Sequence, residues 1–399
     1  MTAPPEQSNQ KPAIENRKLP DRVLLSHDWL TGMRGGERVL EVLCRIFPNA
    51  PIYTLLHNPA AVSEVIAAHP VTASWLQRVP GISRHYRYFL PLFPGAIERL
   101  HPKAADLLIS TSHCVAKGLR PPKGAKHLCY CFTPMRYAWL FYEEYFGRNP
   151  LKKMALTPCL DRLRAWDRAT CDRVDRFVAL SRHVRKRILE FYGRESDVVY
   201  PPVNTEFWTP SPDQRSEIGN RQSTIGDQQC IRVSGAYDLI VSALVPYKKI
   251  ELAVRAYNRL GYPLKIAGAG TELKRLQRLA GARIEFLGRV DDGRIRDLYR
   301  HCRLLVFPGV EDFGIVPVEA QACGRPVVAY GAGGALETVV AGQTGVFFHA
   351  QTEGALLEAV EQAAATKWDP LAIRTNAERF GEADFISGLT ASIVRCMGT

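Results

Sequence analysis

Short apolar runs alternate with longer amphipathic stretches along most of the chain. The apolar runs predict parallel strands buried on both faces, and the stretches between them have the spacing of helices such as Glu37–Ile46 and Arg182–Tyr192. Repetition of strand and helix in this order predicts an α/β fold. The predicted strands are Val23–Ser26, Ile52–Leu56, Asp106–Ile109, His127–Cys131, Phe177–Leu180, Leu239–Ser242, Leu264–Ala267, Ile284–Leu287, Leu304–Phe307 and Pro326–Ala329.

The alternation stops near residues 206–236, where Ser211–Gly235 is polar and has little periodicity. Such a stretch indicates a linker or a surface insertion. A chain of 399 residues is too long for one ordinary core, so we predict two domains. The predicted segments are a disordered leader (1–21), a first α/β domain (22–205), the linker (206–236), a second α/β domain (237–372) and a C-terminal helix that packs back on the first domain (373–399).

Composition narrows the class of protein. With 46% apolar and 23% charged residues, the chain has the make-up of a soluble globular protein. No run approaches the 18 or so apolar residues of a membrane span, and residues 1–22 lack the apolar core of a signal peptide. The ten cysteines include no C-x-x-C pair, so we expect buried thiols in a reducing, cytoplasmic location.

The formal net charge of +12 is compatible with nucleic acid, anionic lipid or phosphorylated substrates as partners. No zinc finger, RNA-binding signature or long basic block is present, which argues against nucleic acid. The segment Trp75–Leu100 mixes aromatic residues with Arg78, Arg84, Arg87 and Arg99. Two interpretations stay open for it: a packed helix pair with surface arginines, or an interfacial surface that docks on the anionic inner face of the membrane.

Two acids flank a predicted helix start after the strand Leu304–Phe307. Glu311 lies in the loop and Glu319 about one turn into the helix. Between them, Asp312–Ile315 is expected to present backbone N–H groups and the positive end of the helix dipole, which together form a phosphate site. Gly314 allows a ligand to approach the backbone closely, and carboxylates are good acceptors for sugar hydroxyls.

The E-x7-E spacing of Glu311 and Glu319, followed by G-x-P-x-x-x-Y-G at Gly324–Gly331, resembles the family 4 retaining glycosyltransferases. The resemblance implies the GT-B fold, in which two Rossmann-like parallel-sheet domains face each other across a cleft. It also implies that Glu311 lies by the transferred sugar, as a catalytic residue, and Glu319 by the ribose. Phe313, Gly314 and Ile315 would then border the donor.

A second donor-binding segment is Val241–Lys249. Lys248 fits the family's diphosphate-binding lysine and is our second catalytic candidate, but Ala243 stands where the family has an arginine. Either Lys249 or another basic residue supplies the second charge, or Lys248 and the helix N-terminus suffice. The loop Phe286–Val290 resembles the one that lies against the nucleobase, so Arg289 is either a donor contact or a surface residue.

In the first domain, Gly35 and Gly36 open a helix just after the first strand, where the family has its glycine-rich loop near the donor diphosphate and the acceptor. We place His27 and Asp28, in the same loop, on the acceptor side. His113 follows the strand ending at Ile109 and is our third catalytic candidate, since a related histidine approaches the transferred sugar.

The segment Thr133–Trp139 resembles T-P-M-R-Y-x-W of bacterial O-antigen and exopolysaccharide mannosyltransferases. Its Arg136 either meets an acceptor phosphate or hydroxyl or forms a structural ion pair. The run Glu319–Val340 looks like the same mannosyltransferase branch. This branch implies GDP-mannose as the donor and a polyprenyl-diphosphate-linked or oligosaccharide acceptor.

No D-x-D motif for a divalent metal occurs in the chain, so we expect no metal and no cofactor beyond the nucleotide sugar. Lys248 and the helix N-terminus would do the electrostatic work, and the resemblance implies transfer with retention of configuration. Two alternatives stay open: a nucleotide-sugar 2-epimerase of the same fold, and a non-enzymatic scaffold that binds membranes or polyanions.

Overall fold

The structure is a computed structural model that describes residues 19–82, 86–140, 150–212 and 236–398. Most of the predicted leader, residues 213–235 of the predicted linker, and Arg84 lie outside the described residues. Among the residues that the structure describes, no helix combines the length and apolar character needed to cross a bilayer. The cysteines described are free thiols, all buried except the half-buried Cys159.

The first domain is built on a seven-stranded parallel sheet with the order β3-β2-β1-β4-β5-β6-β7. The central strands β1 and β4 are buried along their whole length, as expected for strands covered by helices on both faces. The strands are β1 (Val23–His27), β2 (Ile52–Thr54), β3 (Val71–Ala73), β4 (Leu107–Ser112), β5 (Lys126–Cys131), β6 (Arg176–Ala179) and β7 (Ser196–Val198).

Helices connect these strands. Local sequence sets their ends: Ser181 caps one helix by accepting from the Val184 N–H, and Gly193, with a φ of 65°, ends it. The helices of this domain are α1 (Gly35–Ile46), α2 (Glu64–Ala67), α3 (Phe93–Glu98), α4 (Arg136–Trp139), α5 (Pro150–Ala169) and α6 (Arg182–Tyr192).

The second domain contains a six-stranded parallel sheet with the order β10-β9-β8-β11-β12-β13. Its strands are β8 (Tyr237–Val241), β9 (Leu264–Ala267), β10 (Ile284–Gly288), β11 (Cys302–Phe307), β12 (Val327–Tyr330) and β13 (Gly345–Phe348). Its helices are α7 (Ile250–Leu260), α8 (Leu273–Leu279), α9 (Asp292–His301), α10 (Ile315–Ala322), α11 (Ala335–Thr338), α12 (Glu353–Ala365) and α13 (Pro370–Glu378). The predicted α/β fold with two parallel-sheet domains is confirmed.

The chain crosses between the domains at two adjacent points. The Val203 N–H donates to the Phe380 carbonyl at 2.9 Å, so the outgoing and returning segments are hydrogen-bonded to each other. Beyond the return, α14 (Glu382–Met397) lies on the first domain. Its Phe385 ring contacts Tyr130 of β5 at a centroid distance of 5.7 Å.

The described residues of the segment Trp75–Leu100, which leave out 83–85, include two 3₁₀ turns, Trp75–Arg78 and Tyr86–Leu92, followed by the short α3. Pro91 lies inside the second turn, where the missing N–H prevents a continuous α-helix. Leu90 and Phe93 are buried, whereas Tyr88 and Leu92 are 84% and 46% exposed, so the segment is amphipathic although it is irregular.

Candidate active site

Loops from both domains meet at the carboxyl ends of the central strands. In the first sheet β1 lies between β2 and β4, and in the second sheet β8 lies between β9 and β11. The strand order reverses at β1 and at β8, and such a reversal leaves a crevice at the carboxyl ends of the strands. The loops after β1 and β4 form one wall, and the loops after β8 and β11 form the other. The predicted site residues fall on these loops and the helices that follow them, except Arg136, which follows β5, and Arg289, which follows β10.

The glycines at the start of α1 lie close to side chains of other elements. A Cβ on Gly35 would lie 2.8 Å from Cδ1 of Ile315 in the opposite domain, and a Cβ on Gly36 would lie 3.3 Å from the Phe132 ring. Gly35 and Ile315, both predicted donor contacts, therefore face each other across the cleft. The N-terminus of α1 lies next to that of α10.

Asp28 anchors the loop after β4. Its carboxylate, which is completely buried, accepts backbone N–H groups of residues 113–116 at 2.6 to 3.0 Å. It also lies 2.9 Å from Nδ1 of His113. Burial raises the pKa of Asp28, but the charge and hydrogen bonds of His113 outweigh burial and lower the pKa to about 2.

An ionised carboxylate can only accept hydrogen bonds, so Asp28 fixes the proton of His113 on Nδ1. The His113 ring is partly exposed and packs edge-on against Trp29 at 4.6 Å. Asp28 thus orients His113, the predicted catalytic histidine. The Asp28 side chain itself points into the protein, whereas the sequence placed it on the acceptor side.

His27 is likewise buried, with 1% of its surface exposed. Its Nδ1 lies 2.7 Å from Oγ1 of Thr111 on the neighbouring strand β4. Burial lowers the pKa of His27 to about 4, so the ring is neutral near pH 7. In this structure the side chain joins two strands of the sheet, whereas the sequence placed it on the acceptor side.

In the second domain, Glu311 and Lys248 form an ion pair between the loops after β11 and β8. The two loops touch along their backbones, because a Cβ on Gly309 would lie 2.9 Å from Cα of Lys248. Gly314 has a φ of 94°, which favours glycine, and places Ile315 at the first position of α10. A cation, a carboxylate and the N-terminus of a helix therefore converge at this end of the cleft.

Glu319 projects from α10 and is 9% exposed. The Tyr299 hydroxyl donates to its Oε2 at 3.0 Å. Burial raises the pKa of Glu319 to about 7, opposed in part by the Tyr299 hydrogen bond and by the charge of Arg38 in the first domain. Arg38 itself pairs with Asp292 at the start of α9, across the cleft.

The remaining predicted donor residues differ in their exposure. Ala243 and Arg289 are exposed at the carboxyl ends of β8 and β10. The Phe313 side chain is buried: its ring packs 5.6 Å from Tyr200 and 5.3 Å from Phe380. Phe313 can therefore border a donor only through its backbone.

Arg136 donates to Oδ2 of Asp312 at 2.5 Å, so the ion-pair alternative describes its contact in this structure. The sequence offers no reason to select Arg187, Ser181, Glu337 or the side chain of Asp312, which all take part in contacts between the domains. Each of these contacts joins residues that are at least 125 positions apart in the chain, so sequence spacing carries no signal for them.

Residues 230–380 match the family described as "Glycosyl transferases group 1". A D-inositol 3-phosphate glycosyltransferase of Gordonia bronchialis is 30% identical over 249 residues, which cover 57% of this chain and 53% of that protein. A GDP-mannose-dependent alpha-(1-6)-phosphatidylinositol monomannoside mannosyltransferase of Mycolicibacterium smegmatis is 30% identical over 201 residues, covering 45% and 50%. The chain thus spans about half the length of these curated relatives.

Solved structures resemble the whole two-domain arrangement. HepE from Anabaena in complex with UDP aligns with a TM-score of 0.63 and 17% identity over 94% of this chain and 100% of that one. WaaG, a glycosyltransferase involved in lipopolysaccharide biosynthesis, aligns with a TM-score of 0.61 and 16% identity over 93% and 98%. The chain therefore has the GT-B fold of these neighbours, and its second domain matches the family described as glycosyl transferases group 1.

Proposed function

We propose that the protein is a retaining glycosyltransferase that transfers a hexose from a nucleotide sugar to a lipid-linked or oligosaccharide acceptor in cell-surface polysaccharide synthesis. The observation that carries the proposal is the Lys248–Glu311 pair at the N-terminus of α10, opposite the first turn of α1. This arrangement offers a cation and backbone N–H groups to a diphosphate, and a carboxylate to a sugar.

The chemistry follows from these charges. Breaking the bond between the anomeric carbon and the diphosphate leaves negative charge on the diphosphate and positive character on the sugar. Lys248 and the N–H groups at Ile315 would stabilise the leaving diphosphate, and Glu311 would lie beside the sugar. For this, Lys248 must exchange its contact with Glu311 for a contact with the phosphate oxygens.

His113 would act from the opposite wall. With its Nδ1 proton held by Asp28, the ring would present Nε2 to a hydroxyl of the transferred sugar. The acceptor oxygen then bonds to the anomeric carbon on the face that the diphosphate leaves, and its proton passes to the leaving phosphate. Configuration is retained, as the resemblance to the family 4 enzymes implies.

Mannose from GDP-mannose is our proposed donor. Two observations support it: the resemblance of Glu319–Val340 to the mannosyltransferase branch, and the similarity to a relative described as GDP-mannose-dependent. We propose that Lys248 and α10 replace a metal, since the chain lacks a D-x-D motif.

A screen of GDP-, UDP- and ADP-sugars by thermal shift tests the proposal, because a ligand of the native state raises the melting temperature. We expect GDP-mannose to stabilise the protein and Lys248→Met to abolish that shift. Lys265→Met is the matched control, since Lys265 pairs with Glu285 on neighbouring strands outside the cleft. A donor effect that survives Lys248→Met would place the donor elsewhere, and epimerisation of the donor without an acceptor would indicate the 2-epimerase.

We also propose that the segment Trp75–Leu100 docks on an anionic membrane surface. The exposed Tyr88 and Leu92 and the net charge of +12 support it. Sedimentation with vesicles of phosphatidylcholine and phosphatidylglycerol is the test. We expect binding that salt weakens and that Tyr88→Ser with Leu92→Ser reduces. If the protein sediments equally well with neutral vesicles, or does not sediment with anionic vesicles, the segment is not an anionic-membrane docking surface.

A further inference from the structure

Asp312 links the donor loop to the first domain. Its carboxylate receives Nη2 of Arg136 at 2.5 Å and also pairs with Nη1 of Arg187 on α6. The Asp312 side chain is 12% exposed, so the ion pairs are largely shielded from water. Burial raises the pKa of Asp312, but the two guanidinium groups and His183 outweigh burial and lower it, so the group is ionised.

The backbone of the same residue is held as well. The Ser181 hydroxyl, which caps α6, donates to the Asp312 carbonyl oxygen at 2.5 Å. Next to it, the Glu337 carboxylate of α11 accepts the backbone N–H groups of Arg182 and His183 at 2.8 and 2.9 Å. The second domain therefore meets the start of a single helix of the first domain through both Asp312 and Glu337.

The two neighbours of Asp312 in the chain have different partners. Glu311 pairs with Lys248 inside the second domain. Phe313 packs on Tyr200 and Phe380, beside the hydrogen bond where the chain crosses between the domains. Three consecutive residues thus contact the donor half of the site, the opposite domain and the crossing point.

We propose that Asp312 is a positioning residue that couples closure of the two domains to the placement of Glu311. The inference rests on the proposed function. Because residues 311 and 312 share a peptide bond, a movement of Asp312 into or out of the arginine pair must displace Glu311. In an opened molecule the carboxylate and the guanidinium groups would regain water, so the contact can form and break reversibly. Glu311 would be correctly placed only when the domains are closed.

The variant Asp312→Asn tests this, since it keeps the size of the side chain and the backbone bond to Ser181 but removes the charge. Loss of charge-assisted hydrogen bonds predicts a kcat reduced roughly ten- to hundred-fold, with donor-induced stabilisation retained. The ratio of donor hydrolysis to transfer should rise, because an incompletely closed cleft admits water. A folded Asp312→Asn variant with wild-type kcat and hydrolysis ratio would overturn the proposal.

Asp197 provides a matched control. Its carboxylate is also held by two arginines, Arg176 at 2.7 Å and Arg395 at 2.9 Å, but on the edge strand β7. We expect Asp197→Asn to lower the melting temperature without changing the hydrolysis ratio. An equal rise of that ratio in both variants would show a general loss of stability instead of a specific coupling.

A double-mutant cycle completes the experiment. If Asp312 and Arg187 act through one contact, Arg187→Met combined with Asp312→Asn should be no worse than the more damaging single variant. Multiplicative effects of the two substitutions on kcat would refute the coupling.

Small-angle scattering separates this inference from the proposed function: Asp312→Asn should enlarge the radius of gyration relative to Asp197→Asn, even if no nucleotide sugar binds the wild type. An unchanged radius would contradict closure by Asp312, whereas a wild type without transferase activity would contradict only the proposed function.

Discussion

Replacing Glu319 by glutamine tests whether the second domain is destabilised by a carboxylate that is reserved for a ligand. The side chain is 9% exposed, and its Oε2 accepts from the Tyr299 hydroxyl. Burial raises the pKa of Glu319 from 4.5 to about 7. Glutamine keeps an oxygen acceptor for Tyr299 but cannot ionise, so the substitution isolates the effect of the charge.

The sign of the effect follows from linkage. Because the pKa is higher in the folded protein than in the unfolded chain, folding is favoured by this group below pH 4.5, where both states are protonated. That contribution is lost as the pH rises through about 7. A shift of this size corresponds to about 3 kcal/mol of unfolding free energy, since each pKa unit is worth about 1.4 kcal/mol. Near pH 8 the variant should be the more stable protein by a value of that order.

Urea unfolding of both proteins between pH 5 and pH 8.5 measures the effect. Other groups titrate in this range: the pKa of His27 and that of His127 are lowered to about 4 by burial, which costs stability below pH 6.5. These histidine contributions are the same in both proteins, so they cancel in the difference between the unfolding free energies of the variant and the wild type. It should grow with pH and level off above pH 7. A difference that is constant across this range would refute the argument that burial destabilises the Glu319 carboxylate.

Three further outcomes are expected. Gly35→Ala places a Cβ 2.8 Å from Cδ1 of Ile315 across the cleft, so steady-state assays should show a modestly reduced kcat while the melting temperature changes little; an unchanged kcat would mean that the Ile315 side chain turns aside or that the domains need not approach this closely. Asp28→Asn removes the charge that five hydrogen-bonding contacts converge on, and calorimetry should show destabilisation of roughly 3 kcal/mol; a variant as stable as wild type would exclude the anchoring role. Transfer activity should survive dialysis against EDTA, and its loss with recovery on adding Mg²⁺ or Mn²⁺ would exclude catalysis by Lys248 and α10 alone.

The sequence was sufficient for the interior of both sheets but for only one of their four edge strands, β10. The strands predicted from apolar runs include the central β1, β4, β8 and β11. The strands without a prediction, β3, β7 and β13, all lie at the edge of a sheet. β3 and β7 are short and partly exposed, so they lack the continuous apolar run that identifies a buried parallel strand. The missed β13 is mostly buried, and this reason does not apply to it.

The same distinction applies to the site. Loops after strands could be recognised because glycine, carboxylate and lysine have local reasons to be there, as at Gly314, Glu311 and Lys248. The direction in which each side chain points could not be predicted, since it depends on contacts with residues that are distant in the sequence. Asp28 is turned inward because loop 113–116 supplies its backbone donors, and the proton of His113 follows from that contact. Pairing of Asp312 with Arg187 depends on how two separately folded domains meet.

The described site balances its own charges before any donor arrives. Lys248 is paired with Glu311, Asp312 is paired with two arginines, and burial raises the pKa of Glu319 to about 7. In the proposed reaction a diphosphate would displace Glu311 from Lys248, and the net gain would be the difference between two anions at the same cation. That difference would favour a doubly charged diphosphate over a single carboxylate and would leave Glu311 beside the sugar. Ala243 supplies no charge where the family has an arginine, and Arg38 of the first domain adds positive charge near Glu319. Because Arg38 lies on the first domain and Glu319 on the second, the effect of this charge on Glu319 depends on how closely the domains approach.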